Sequence, residues 1–69
     1  MTQIAKNYAR TFAGASGAMV LQHLRRITVE RIMGPNASDA ELRWAEAQRA
    51  LVRQIESLIA QGKSNDTKQ

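Results

Sequence analysis

The stretch Ser38-Asp39-Ala40-Glu41-Leu42-Arg43-Trp44-Ala45-Glu46-Ala47-Gln48-Arg49-Ala50-Leu51-Val52-Arg53-Gln54-Ile55-Glu56-Ser57-Leu58-Ile59-Ala60-Gln61-Gly62 decides the fold. Its first four residues fit the capping box S-x-x-E, in which a serine hydroxyl and a glutamate carboxylate each satisfy an amide that the first turn of a helix leaves free. Asp39 and Glu41 also set negative charge against the positive end of the helix dipole. Beyond the cap, Leu42, Ala45, Leu51, Val52, Ile55, Leu58 and Ile59 recur at steps of three and four, with Trp44 and Ala47 on the flank. That period is the signature of one apolar helix stripe more than ~100° wide. The spacing predicts a helix to about Gln61, roughly 35 Å long at the rise of an α-helix. Gly62 is expected to end it as a C-terminal cap, and residues 62–69 read as a polar, flexible tail.

Working back from Ser38, Gly34-Pro35-Asn36 reads as a firm stop for a preceding helix. That helix is expected over about Ala18 to Met33, with Ser16 as its N-cap. Val20, Leu24 and Ile27 share one face of it, and Leu21, Thr28 and Ile32 lie beside them. Two glycines in Ala13-Gly14-Ala15-Ser16-Gly17 separate it from a basic opening segment, residues 2–13. There Ile4, Tyr8 and Phe12, at spacing four, mark one stripe. The fold class predicted is all-α: an antiparallel helical hairpin over residues 16–61, with a short N-terminal helical arm over residues 1–15. The whole of residues 1–69 makes one small domain.

Composition bounds the function. A core of this size contributes only ~3–5 kcal/mol, so short chains tend to need a staple or a partner. There is no cysteine, hence no disulfide and no thiolate metal site, and the single histidine, His23, cannot build a metal centre alone. No cofactor is expected. No run of apolar residues is long enough to span a membrane, and the opening residues do not read as a signal segment. Phosphate-loop, metalloprotease and nucleophile motifs are all lacking, and capping accounts for Asp39 and Glu41, so no catalytic residue is expected and the protein reads as a non-enzyme. Ten Lys/Arg against six Asp/Glu give +4. The excess lies in the N-terminal half, where Arg25, Arg26 and Arg31 are candidate nucleic-acid contacts. Set against that reading, Glu30 can pair with Arg26, Glu46 with Arg49 and Glu56 with Arg53.

The long helix outruns its hairpin neighbour by roughly 10 Å. The stretch from Val52 to Ile59 must therefore be covered either by the N-terminal segment or by another chain. The second reading makes Trp44, Leu51, Val52, Ile55, Leu58 and Ile59 an interface for self-association. Trp44 reads equally well as a side chain packed over the loop against Met33 or Pro35. Arg49 falls near the apolar face between Ala45 and Val52 and needs a carboxylate or helix-end carbonyls to offset its desolvation. Glu30 across the hairpin is the partner expected, as a structural ion pair; otherwise the head reaches water.

Gly17-Ala-Met-Val-Leu-Gln-His-Leu24 followed by Arg25 and Arg26, then Ala45-Glu-Ala-Gln-Arg49-Ala-Leu-Val52, resembles the small helical tailed-phage virion-domain family typified by a Bordetella phage structural protein. In that family a helix like G-x-x-V-L-x-x-L precedes one centred on a segment like E-G-x-R-x-[VL]. Glu46-Ala47-Gln48-Arg49 is similar to the latter, with Ala47 in the place of glycine, and Tyr8 to Phe12 resembles the family's aromatic opening. The likeness covers roughly residues 8–59. It implies a phage protein from the head and packaging region, located in the virion and, during assembly, in the host cytoplasm, without known enzymatic activity. Its partners would be itself, as a homo-oligomer, or another virion protein. The alternative is a DNA-binding accessory of packaging, akin to a small terminase subunit.

Overall fold

The computed structural model describes residues 2–67, and the side chains of residues 2–64. Three helices follow in order, α1 (Gln3–Thr11), α2 (Ala15–Ile27) and α3 (Asp39–Thr67), with no strand among the described residues. The architecture is all-α and hairpin-like, as the periodicities predict. Its dominant packing, however, is α1 against α3, and α2 meets α3 more sparsely.

Helix α3 begins where the capping box places it. The Glu41 amide donates to Ser38 Oγ at 3.1 Å, and the Ser38 amide donates to Glu41 Oε1 at 2.9 Å. Its inward line is Ala45, Val52 and Ile59, spaced by seven and all buried. Gly62 does not end the helix. It is buried within α3, at the point where α1 crosses closest. A Cβ there would sit 2.7 Å from Ala9 Cβ and against the Ala5 carbonyl. Helix axes approach this closely only where side chains are small. The helix then runs on through the residues expected to be a tail as far as Thr67, and Lys68 and Gln69 lie outside the described residues.

The same contact corrects the reading of α1. Its buried residues are Ala5 and Ala9, whereas Ile4 is exposed and Tyr8 and Phe12 are half-buried. The two rings stack on one another at 6.5 Å between centroids, alongside the contact. The large apolar stripe is thus not the seam; the alanines are, because Gly62 faces them. Thr2 caps the helix, its hydroxyl accepting from the Ala5 amide.

Helix α2 starts earlier and stops sooner than its pattern suggests. Gly14, not Ser16, is the N-cap, and no side chain caps the first turn. The helix ends before Gly34-Pro35 is reached, at the β-branched run Ile27-Thr28-Val29. Branched side chains lose χ1 freedom in a helix. Thr28 Oγ1 also donates to the Leu24 carbonyl at 2.6 Å, and the Glu30 amide closes onto the Arg25 carbonyl at 2.9 Å. The connection to α3 is consequently residues 28–38, longer than the turn expected. Gly17 stands in the first turn of α2, where an added Cβ would lie 2.6 Å from Phe12 Cα and from the Thr11 carbonyl oxygen. This close approach fixes how α2 leaves α1.

Candidate functional site

The stretch Val52 to Ile59 is covered from within the chain. Val52 and Ile59 are buried and Ile55 and Leu58 half-buried, because α1 lies along the C-terminal half of α3. The extra length of α3 therefore leaves no bare end of the expected kind, and Val52 and Ile59 act as core residues. Trp44 and Leu51 are different: they are 52% and 61% exposed. At 100° per residue they lie on one line of α3, beside the buried line and seven apart, with Leu58 next along it.

Trp44 meets the loop at Arg31. Its ring lies beneath the Arg31 guanidinium, 5.6 Å from the ring centroid, a cation–π contact in the N-terminal half of α3. Arg49 holds the same loop by its backbone. Its Nη2 donates to the Arg31 carbonyl at 2.9 Å, and its Nη1 lies 3.5 Å from Glu46. The expected Arg49–Glu30 pair does not form, because α2 ends early and turns Glu30 toward Arg25. A free carbonyl in the loop meets the need of the Arg49 guanidinium instead. Arg53 likewise pairs with Glu46 rather than Glu56, each at the helix surface.

Glu56 is taken by α2. Arg25 Nη1 donates to Glu56 Oε2 at 2.7 Å, bridging α2 to α3, and Arg25 Nε lies 3.6 Å from Glu30. The Glu56 bond first, and the Glu56 and Glu30 charges with it, hold the Arg25 guanidinium above its ordinary pKa despite partial desolvation. Of the three arginines that sequence reading marks for nucleic acid, Arg25 is thus tied to two carboxylates and Arg31 is stacked on Trp44. Arg26 is exposed and in no ion pair among the described residues. The three do not converge as a phosphate-binding cluster.

What sequence reading placed inside the hairpin, the structure places outside. No residue of α2 is buried; Leu21 and Leu24 are half-buried, and Met19, Val20 and Ile27 are exposed. The signal was present in the apolar positions of α2, which are spread more widely than one neighbour can cover. The loop frames an open hollow of about 320 Å³ beside Arg31, Pro35 and Glu41. The Glu41 carboxylate is already engaged with Ser38, whose amide bond first of all lowers its pKa. Among the described residues no group of His, Cys, Asp and Glu is placed to hold a metal ion, and no helix is long and apolar enough to cross a membrane.

These features define a class: a small all-α protein with one long helix, clasped at one end by a short one and leaving apolar flanks bare. The model of the Bbp19-like phage protein family matches residues 8–65, and the chain belongs to that family. It is a phage protein. No curated protein and no solved structure is significantly similar to it. The motif residues of the sequence resemblance have defined places here: Gly17 in the close approach to α1, Glu46 and Arg49 in the clasp on the loop, and Ala47 on the exposed side of α3.

Proposed function

We propose that this phage protein is a non-enzymatic structural or assembly component, carried in the virion and present in the host cytoplasm while particles form. It works by docking its bare helix flanks on copies of itself or on another virion protein. The observation that carries this reading is the exposure of Trp44 and Leu51 on α3 and of Met19, Val20 and Ile27 on α2, in a chain of a phage protein family. Apolar flanks of this extent on so small a chain are the usual mark of an interaction surface. Mass spectrometry of purified particles tests it. The protein is expected in mature virions, with fewer particles from a phage lacking its gene; absence from particles together with a normal yield would overturn the reading.

The alternative, a DNA-binding accessory of packaging, has the net charge of +4 in its favour and the engagement of Arg25 and Arg31 against it. It requires duplex binding that weakens steeply with salt. No mobility shift at low salt is the expected result.

A further inference from the structure

Helix α2 is held less firmly than either of its neighbours. None of its 13 residues is buried, whereas α1 buries Ala5 and Ala9 and α3 buries Ala45, Val52 and Ile59. Leu21, Leu24 and Arg25 reach only half-burial, so docking of α2 takes little apolar surface out of water. Its first turn has no side-chain cap. Near its end the Arg25 guanidinium lies between two carboxylates. Its Nη1 donates to Glu56 Oε2 on α3 at 2.7 Å, and its Nε lies 3.6 Å from Glu30 Oε2 in the connection that follows α2. Glu30 stays beside Arg25 wherever α2 goes, because the Glu30 amide donates to the Arg25 carbonyl at 2.9 Å.

We infer that α2 is a strap that leaves α3 while α1 and α3 stay packed, and that Arg25 is its latch, shared between Glu56 on α3 and Glu30 on the strap itself. Segments with few buried apolar contacts open ahead of the rest of a fold. Letting go of Glu56 does not strand the guanidinium, since Glu30 closes on it. Release also separates two like charges that the docked state holds around one cation. All three groups are partly exposed, and a pair so exposed shifts an equilibrium by roughly two- to fivefold. Leu21 and Leu24, half-covered in the docked state, become free on release. The inference goes beyond the virion role and does not depend on it.

Spin labels on Gln22→Cys and Gln54→Cys test it in the full chain, at two exposed positions of a sequence without cysteine. Dilution with unlabelled protein confines the dipolar coupling to pairs within one molecule. Two populations are expected, a narrow docked separation and a broad, longer one. Glu56→Gln should raise the ratio of released to docked chains by roughly two- to fivefold, and Glu30→Gln should lower it. Glu46→Gln, whose partners Arg49 and Arg53 lie on α3 itself, should leave it unchanged. A single narrow separation that persists in Glu56→Gln overturns the strap. Release of α2 by Glu30→Gln, as by Glu56→Gln, overturns the shared latch and leaves Arg25 an ordinary structural pair. Should a labelled variant lose its helices, hydrogen exchange of the wild type decides. The amides of α2 should exchange faster than those of α3 from Ala45 to Ile59, and equal protection overturns the inference.

Discussion

At Gly62, one missing methyl group sets the distance between two helices. The Ala5 carbonyl and the Ala9 methyl occupy the place a Cβ would need. Since part of the obstacle is backbone, it cannot swing aside as a flexible side chain would. Gly62→Ala should therefore destabilise the fold by about 1–3 kcal/mol through overpacking, offset only in part by the ~1 kcal/mol that alanine gains over glycine in a helix interior. Gly34→Ala is the matched control. Nothing lies within 4 Å of a Cβ there and no glycine has a positive φ, so it should be neutral or stabilising by about 0.4–1 kcal/mol. Urea unfolding followed by circular dichroism measures both, and equal midpoints for the two variants would refute the close-approach account. Read as sequence, Gly62 is a helix stop and Ala5 and Ala9 are filler. Their roles come from each other, across most of the chain's length, and no local pattern carries that.

Among the elements, α3 was the most legible because its start signal is chemical and local. Serine, glutamate and two backbone amides satisfy one another within four residues, independently of the rest of the fold. The end of α2 was less so. Proline and glycine at 34–35 are strong stops, but Ile27-Thr28-Val29 acts first, aided by the Thr28 hydroxyl on the Leu24 carbonyl. A weak breaker upstream thus outranks a strong one downstream, and Glu30 pairs with Arg25 instead of reaching Arg49, while the expected Glu46–Arg49 pair within α3 forms. The capping box yields a test at this scale. Ser38→Ala should cost about 1 kcal/mol. The Glu41 carboxyl is held below its ordinary 4.5 by the Ser38 amide and hydroxyl and the Arg31 charge. A carboxyl depressed in the folded state contributes stability at all pH values above its unfolded pKa, and the contribution fades as pH falls through the folded one. Thermal stability of the wild type should accordingly drop on acidification below about pH 4.5 more than that of Glu41→Gln. Parallel pH profiles for the two would remove Glu41 as the cause.

The whole molecule is drawn out. It measures 50 × 24 × 14 Å with a radius of gyration of 14.6 Å, against about 11 Å for a compact chain of this length. The reason lies in the core. Among the described residues its buried apolar ones are three alanines, a valine and an isoleucine, and no large side chain is fully enclosed, so α3 has little to draw the other helices around it. Length alone predicts that shortage; of the two covers the sequence allows for Val52 and Ile59, α1 is the one that forms, and the exposed apolar side chains fall on α2 and the flank of α3 instead. A fold so thinly enclosed by itself should derive part of its stability from association. If unfolding is coupled to separation of two chains of 69 residues, each contributing about 0.7 kcal/mol of enthalpy per residue, the unfolding enthalpy of the dimer is about 100 kcal/mol. Each tenfold rise in protein concentration then lifts the melting midpoint by about 5 °C. Scanning calorimetry across two decades of concentration should show that climb. A wild-type midpoint that ignores concentration would mean that α3, with α1 clasping its far end, is stable alone and that α2 is exposed at no cost to the fold.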